Sequence, residues 1–80
     1  MTSHEAGTLS ERRLTSRELD VLELVAEGYS TAEIARALWI TEDTVRTHIK
    51  RLLARLGAHT RAHAVAIAYR NRLWRESDVT

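Results

Sequence analysis

The sequence contains no cysteine. That absence removes disulfide frameworks, thiolate nucleophiles and cysteine zinc sites together, and it fits a reducing compartment. A run of about 18 apolar residues is also missing, so no membrane span is expected. The first ten residues, MTSHEAGTLS, have neither a basic start nor a hydrophobic stretch, so no secretory signal is expected. A cytoplasmic protein without membrane attachment is the expectation. With 80 residues there is room for one domain and one small core. A chain this short rarely encloses a substrate pocket while also building that core, so a binding module is favoured over an enzyme.

The most informative absence is of carboxylates. Residues 44–75 contain no Asp or Glu and eight bases, Arg46, Lys50, Arg51, Arg55, Arg61, Arg70, Arg72 and Arg75, a local charge of +8. Residues 1–43 carry nine acids and four bases, a balance of −5, and Glu76 and Asp78 follow in the tail. The formal net charge of +1 hides this division. Thirty-two consecutive residues without an acid suit a polyanion, because phosphate neutralisation depends on local and not on net charge. A basic face that is merely solvated is the plainer alternative.

Apolar spacing and capping signals define four helices. Residues 1–13 are polar and without apolar period, and read as an N-terminal arm. Thr15 and Glu18 form a capping box, with Leu14 and Leu19 as a hydrophobic staple, so a helix starts near Ser16. Leu19, Leu22, Val25 and Ala26 mark its expected buried face, and Gly28 its end. Ser30 and Glu33 open a second, two-turn helix burying Ile34, Ala35 and Leu38. Trp39-Ile40 is a tight connection to a third helix over about 42–56, capped by Thr41, with Glu42 and Asp43 on its dipole and Gly57 ending it. Val45, Ile49, Leu52, Leu53 and Leu56 lie on one of its faces, and Arg46, Thr47, Lys50, Arg51 and Arg55 on the other. Thr60 caps a fourth helix over about 61–73 that turns Ala64, Val65 and Ala68 to the core; residues 76–80 are a tail. No stretch alternates with period two, so the fold class is all-α, with one domain over 14–75.

Two short helices joined by a tight turn, the second basic outside, constitute a helix-turn-helix unit, here 31–56. An α-helix fits the major groove of B-DNA, and Arg46, Thr47 and Lys50 fall where outward side chains reach base edges. Arg46 and Lys50, four apart, share one side and suit guanine O6 and N7 or a phosphate; ordinary exposed helix surface is the alternative.

Residues 14–68 resemble the DNA-binding domain of the LuxR/GerE family of bacterial transcription regulators. The likeness rests on L-T-x-R-E at Leu14 to Glu18, A-x-G-x-S at Ala26 to Ser30, E-I-A at Glu33 to Ala35, L-x-I-T at Leu38 to Thr41 and T-V-R-T-H at Thr44 to His48. L-x-x-L-G at Leu53 to Gly57 and the Thr60-Arg61 helix start add to it. The resemblance implies base reading by Arg46, Thr47 and Lys50, and backbone contacts from Thr44, His48 and Arg51. It also implies a phosphate beside the Ser30 and Thr31 amides, consistent with anion binding at helix N-termini. Thr31 and Ala32 stand where the family usually has asparagine and lysine, which weakens that last contact.

The family dimerises on DNA through its last helix. Ala62, Ala66, Tyr69 and Leu73 form a stripe apart from the core positions, so a homodimer on two adjacent half-sites of promoter DNA is expected. The alternative is that Tyr69 and Leu73 cover the end of the first helix. Most relatives carry a receiver or ligand-sensing domain, whereas thirteen polar residues precede the first helix here. The expectation is a stand-alone regulator without sensor domain, competent to bind constitutively and controlled by abundance or a partner.

Other signals carry less. His59 and His63 lack a third partner at metal-ligand spacing, so neither metal nor cofactor is expected. No serine sits in a G-x-S-x-G context, so no catalytic residue is assigned. Trp39 occupies a position where the family usually has a small or polar residue, and local packing is its expected role. The departures at Trp39 and at Thr31-Ala32 motivate a rival function, a protein-interaction module that engages RNA polymerase, a sigma factor or another regulator, with Trp39 as an exposed anchor.

Overall fold

The computed structural model describes residues 14–71 and Leu73. The expected arm 1–13, the tail 76–80 and the basic residues Arg72 and Arg75 lie outside the described residues. Among those described there are four helices and no strand: α1 (Ser16–Ala26), α2 (Thr31–Leu38), α3 (Glu42–Leu56) and α4 (Arg61–Arg70).

Each helix starts where its cap dictates. The Glu18 amide donates to Thr15 Oγ1 at 3.1 Å while the Thr15 amide donates to Glu18 Oε1 at 3.0 Å, and Ser30 and Glu33 repeat the arrangement on α2. Thr41 and Thr60 accept from the Thr44 and His63 amides at 3.1 and 3.0 Å. Each cap satisfies amides that the first helical turn leaves without a carbonyl. Glu33 gains a further property from its cap. The bond from the Ser30 backbone amide, then that from the Ser30 hydroxyl, and the nearby Arg36 charge hold its carboxyl below the ordinary glutamate range. A group depressed in this way stabilises the folded state above its unfolded pKa, and that contribution fades as pH falls through the lower folded value. We predict that an NMR titration finds the Glu33 midpoint below that of a free glutamate. Ser30→Ala removes the side-chain bond but keeps the backbone one, and is expected to return the midpoint only part of the way.

The helix ends are equally local. α1, α2 and α3 close with a left-handed residue, Gly28 (φ 92°), Trp39 (φ 60°) and Gly57 (φ 67°). Behind each, the next amide reaches back five residues, Tyr29 to Leu24, Ile40 to Ala35 and Ala58 to Leu53, at 3.0, 3.0 and 2.9 Å. Glycine takes this conformation freely; a residue with a Cβ is strained there by roughly 1–2 kcal/mol. Trp39 carries that strain and is 92% exposed, so the expectation of local packing is overturned. The left-handed turn sends Ile40 inward against the core and leaves the indole outside. Trp39→Gly is therefore predicted to raise stability by about 1 kcal/mol, a shift of several degrees in Tm readable by thermal melting.

The core is formed by Leu14, Val21, Leu22, Ile34, Ala35, Val45, Ile49, Leu52, Ala64 and Ala68. α1 packs chiefly on α3 and also on α4, and α2 packs chiefly on α3, so α3 is gripped from one side by the other helices. On α1 the buried positions are Glu18, Val21 and Leu22, with Leu19 and Val25 half-buried and Ala26 exposed. The buried face is thus rotated toward Val21 and away from Ala26, because Glu18 enters the interior. Its carboxylate, only 3% exposed, meets Arg55 Nε at 3.3 Å across the α1–α3 contact. Arg55, its side chain still 39% exposed, accordingly lies on the flank of α3 that faces α1, apart from the arc of Arg46, Thr47 and Lys50. It stands nine residues beyond Arg46, about half a turn round an α-helix.

Candidate nucleic-acid interface

The capping and packing just described fix one face of α3 outward. Val45, Ile49 and Leu52 are buried, which sets the rotation of the helix and leaves Arg46, Thr47, Lys50 and Arg51 exposed. At about 100° per residue, Arg46 and Lys50 lie within about 40° of one another and Thr47 stands opposite the core. The three expected base-reading side chains therefore share one exposed arc near the N-terminal half of the helix.

The residues expected at the DNA backbone are more varied. Arg51 is exposed at the edge of this arc. Thr44 is half-buried, its hydroxyl 2.8 Å from that of Thr41 in the α3 cap. His48 is half-buried too, and its Nδ1 is buried without a hydrogen-bond partner. At the start of α2 the Ser30 amide donates to Glu33 Oε1 at 2.8 Å, so it is engaged and a carboxylate stands beside it. The Thr31 and Ala32 amides, in the first turn of the helix, have no intrahelical acceptor by helix geometry.

Sequence reasoning missed two contacts. Arg61 Nη2, at the start of α4, donates to Thr31 Oγ1 at 3.2 Å, across thirty positions of chain. The fold thereby brings a cation to the α2 N-terminus, where a lysine is absent from the sequence at Ala32. No local signal announces that pairing. The second is within α3: Arg46 Nη1 meets Asp43 Oδ1 at 3.0 Å and Nη2 meets Glu42 Oε1 at 3.2 Å. The i,i+3 and i,i+4 spacings that allow it are visible in the sequence.

On α4 the stripe expected at a dimer interface is split. Ala62, Ala66 and Tyr69 are exposed, Tyr69 at 66%, while Leu73 is half-buried against the core. The helix ends at Arg70, where Asn71 Nδ2 donates to the Ile67 carbonyl at 3.0 Å and the Leu73 amide reaches back to Ala68 at 3.0 Å. Leu73 is thus folded under the helix end instead of extending the stripe. His59 and His63 stack with ring centroids 5.5 Å apart, and the His59 amide donates to His63 Nδ1 at 3.1 Å. That ring nitrogen serves the backbone, and the described residues contain no group of three or more His, Cys, Asp or Glu able to hold a metal ion. No helix among them is long and apolar enough to cross a membrane.

A short helix, a tight turn and a second helix that is anchored on one side and basic on the other define a helix-turn-helix domain. A family model described as bacterial regulatory proteins, luxR family, matches residues 12–68, and the chain belongs to that family of DNA-binding transcription regulators. Among its relatives, the transcriptional regulatory protein LiaR of Bacillus subtilis is 45% identical over 67 residues, which is 84% of this chain and 32% of that protein. The response regulator protein VraR of Staphylococcus aureus is 45% identical over 60 residues, 75% of this chain and 29% of that one. A crystal structure of the response regulator ChrA in a heme-sensing two-component system superposes with a TM-score of 0.73 at 35% identity, covering 75% of this chain and 30% of that one. The chain thus spans about a third of the length of the curated relatives it matches.

Proposed function

We propose that the domain reads promoter sequence with α3 in the major groove, as part of a regulator that binds DNA as a dimer. Arg46, Thr47 and Lys50 meet base edges, and Thr44, His48 and Arg51 meet the flanking backbone. Arg61, held beside Thr31, supplies the cation at the α2 N-terminus that Ala32 does not. The observation that carries this reading is the single exposed arc of α3 bearing Arg46, Thr47 and Lys50 while Val45, Ile49 and Leu52 lock the rotation of the helix. Ala62, Ala66 and Tyr69 offer a small exposed face for a second copy, so half-sites related by two-fold symmetry are the expected target. A fluorescence-anisotropy titration at several salt concentrations tests the electrostatic part. Log K against log[salt] is expected to fall with a slope of about −0.9 per neutralised phosphate, and a flat line would contradict the reading.

A second reading rests on Trp39. An indole that is 92% exposed at a strained backbone position does nothing for the fold, and aromatics of this kind anchor protein contacts. It favours contact with RNA polymerase, a sigma factor or another regulator. A protein complex lost on Trp39→Ala, from a domain without DNA selectivity, would support this reading over the first.

A further inference from the structure

Glu42 and Asp43 are the last carboxylates before the acid-free block 44–75, and both reach the same guanidinium. The pairing is not explained by stability. The three side chains are half exposed or more, Asp43 at 95%, and exposed ion pairs contribute little to folding. A carboxylate in the first turn favours the helix dipole whether or not it meets an arginine. What the pairing does change is the state of Arg46. A guanidinium has five N–H donors, and two are engaged here, one on each terminal nitrogen. Three remain, the Nε–H and one on each terminal nitrogen, enough for donation to guanine O6 and N7. With two carboxylates on one guanidinium the cluster carries a net charge of −1, so its attraction to phosphate, which depends on charge, is reduced, while its remaining N–H groups stay available to a base edge.

We propose that Glu42 and Asp43 are positioning residues for base reading, biasing Arg46 toward one orientation and offsetting its charge so that it distinguishes guanine instead of taking any phosphate. Specificity then comes partly from suppressing the wrong contact. The proposal rests on Arg46 being a base reader.

The test uses the whole 80-residue chain. A cognate duplex is selected from a random pool, and affinities are compared for it, for duplexes with single G·C pairs replaced, and for an unrelated duplex. The variant Glu42→Gln/Asp43→Asn is expected to bind the unrelated duplex about three- to tenfold more tightly, its salt slope steeper by about 0.9 as one more phosphate is neutralised. Its discrimination against replacement of the critical G·C pair is expected to fall by a similar factor, about three- to tenfold. In the Arg46→Ala background the same two substitutions should leave discrimination unchanged. Should the double variant fail to fold, Asp43→Asn alone carries the measurement with the same signs. Wild-type discrimination in the acid variant, combined with lost discrimination in Arg46→Ala, overturns the positioning role and leaves base reading standing. Unchanged discrimination in Arg46→Ala removes base reading and the proposal with it.

Discussion

Arg46→Ala is expected to remove between about fivefold and 150-fold of the preference for a cognate duplex over one with the critical base pair replaced, equivalent to about 1–3 kcal/mol for a bidentate pair. The effect should be large because Arg46 stands on the exposed arc of α3 near the N-terminal half, where a side chain reaches the groove floor. Its fold cost should be small. The Arg46 pairs with Glu42 and Asp43 are exposed, and the helix keeps its Thr41 cap and its buried Val45 and Ile49. Lys50→Ala, one turn on, should weaken binding to the cognate duplex more than to the unrelated one, as loss of a base contact does, whereas equal weakening on all duplexes would assign Lys50 to phosphate. Anisotropy titrations against cognate, replaced and unrelated duplexes separate the two outcomes. Retained selectivity in both variants would end the assignment of this face to base reading.

The second large effect concerns the scaffold. Leu22→Ala is expected to destabilise the domain by about 2–5 kcal/mol, through lost burial and the cavity left behind. Leu22 is fully buried in α1, the helix packed against both α3 and α4. Domains are stable by only about 5–15 kcal/mol and small ones lie toward the low end, so this one side chain holds a large share of the total. A drop in Tm of about 10–30 °C should follow, measured by circular dichroism. DNA affinity at temperatures below the new transition should be little changed, because Leu22 is fully buried in the core and the arc of Arg46, Thr47 and Lys50 is exposed on α3. A much smaller fall in Tm would mean that the core adjusts around the site.

These two residues also show what the sequence makes legible. Helix boundaries were readable because they are written in local chemistry: Thr15 with Glu18, Ser30 with Glu33, Thr41, Thr60, and glycine at 28 and 57 each act within one turn of where they stand. The outward position of Arg46, Thr47 and Lys50 followed from the periodicity of Val45, Ile49 and Leu52. Features that depend on two helices meeting were not readable in that way. Glu18 looked like a cap alone, yet its carboxylate also meets Arg55 from α3, which buries Glu18 against the expectation from its polarity and ties Arg55 to the flank facing α1. Arg61 beside Thr31 is a contact of the same kind. Trp39 failed for another reason: a bulky side chain suggests packing, but the left-handed turn that closes α2 points Ile40 inward and leaves the indole in solvent. Leu73 was misplaced because Asn71 ends α4 early and the chain folds under it.

The central claim is that α3 reads bases from the major groove through Arg46. The most direct measurement is the affinity for a cognate duplex in which 7-deazaguanine replaces the guanine of the critical G·C pair, removing the N7 acceptor while keeping base pairing. Wild type is predicted to lose about tenfold in affinity, and Arg46→Ala to lose nothing further. An equal affinity of the wild-type chain for the two duplexes at every guanine tested, with binding abolished by a minor-groove ligand, would contradict the account.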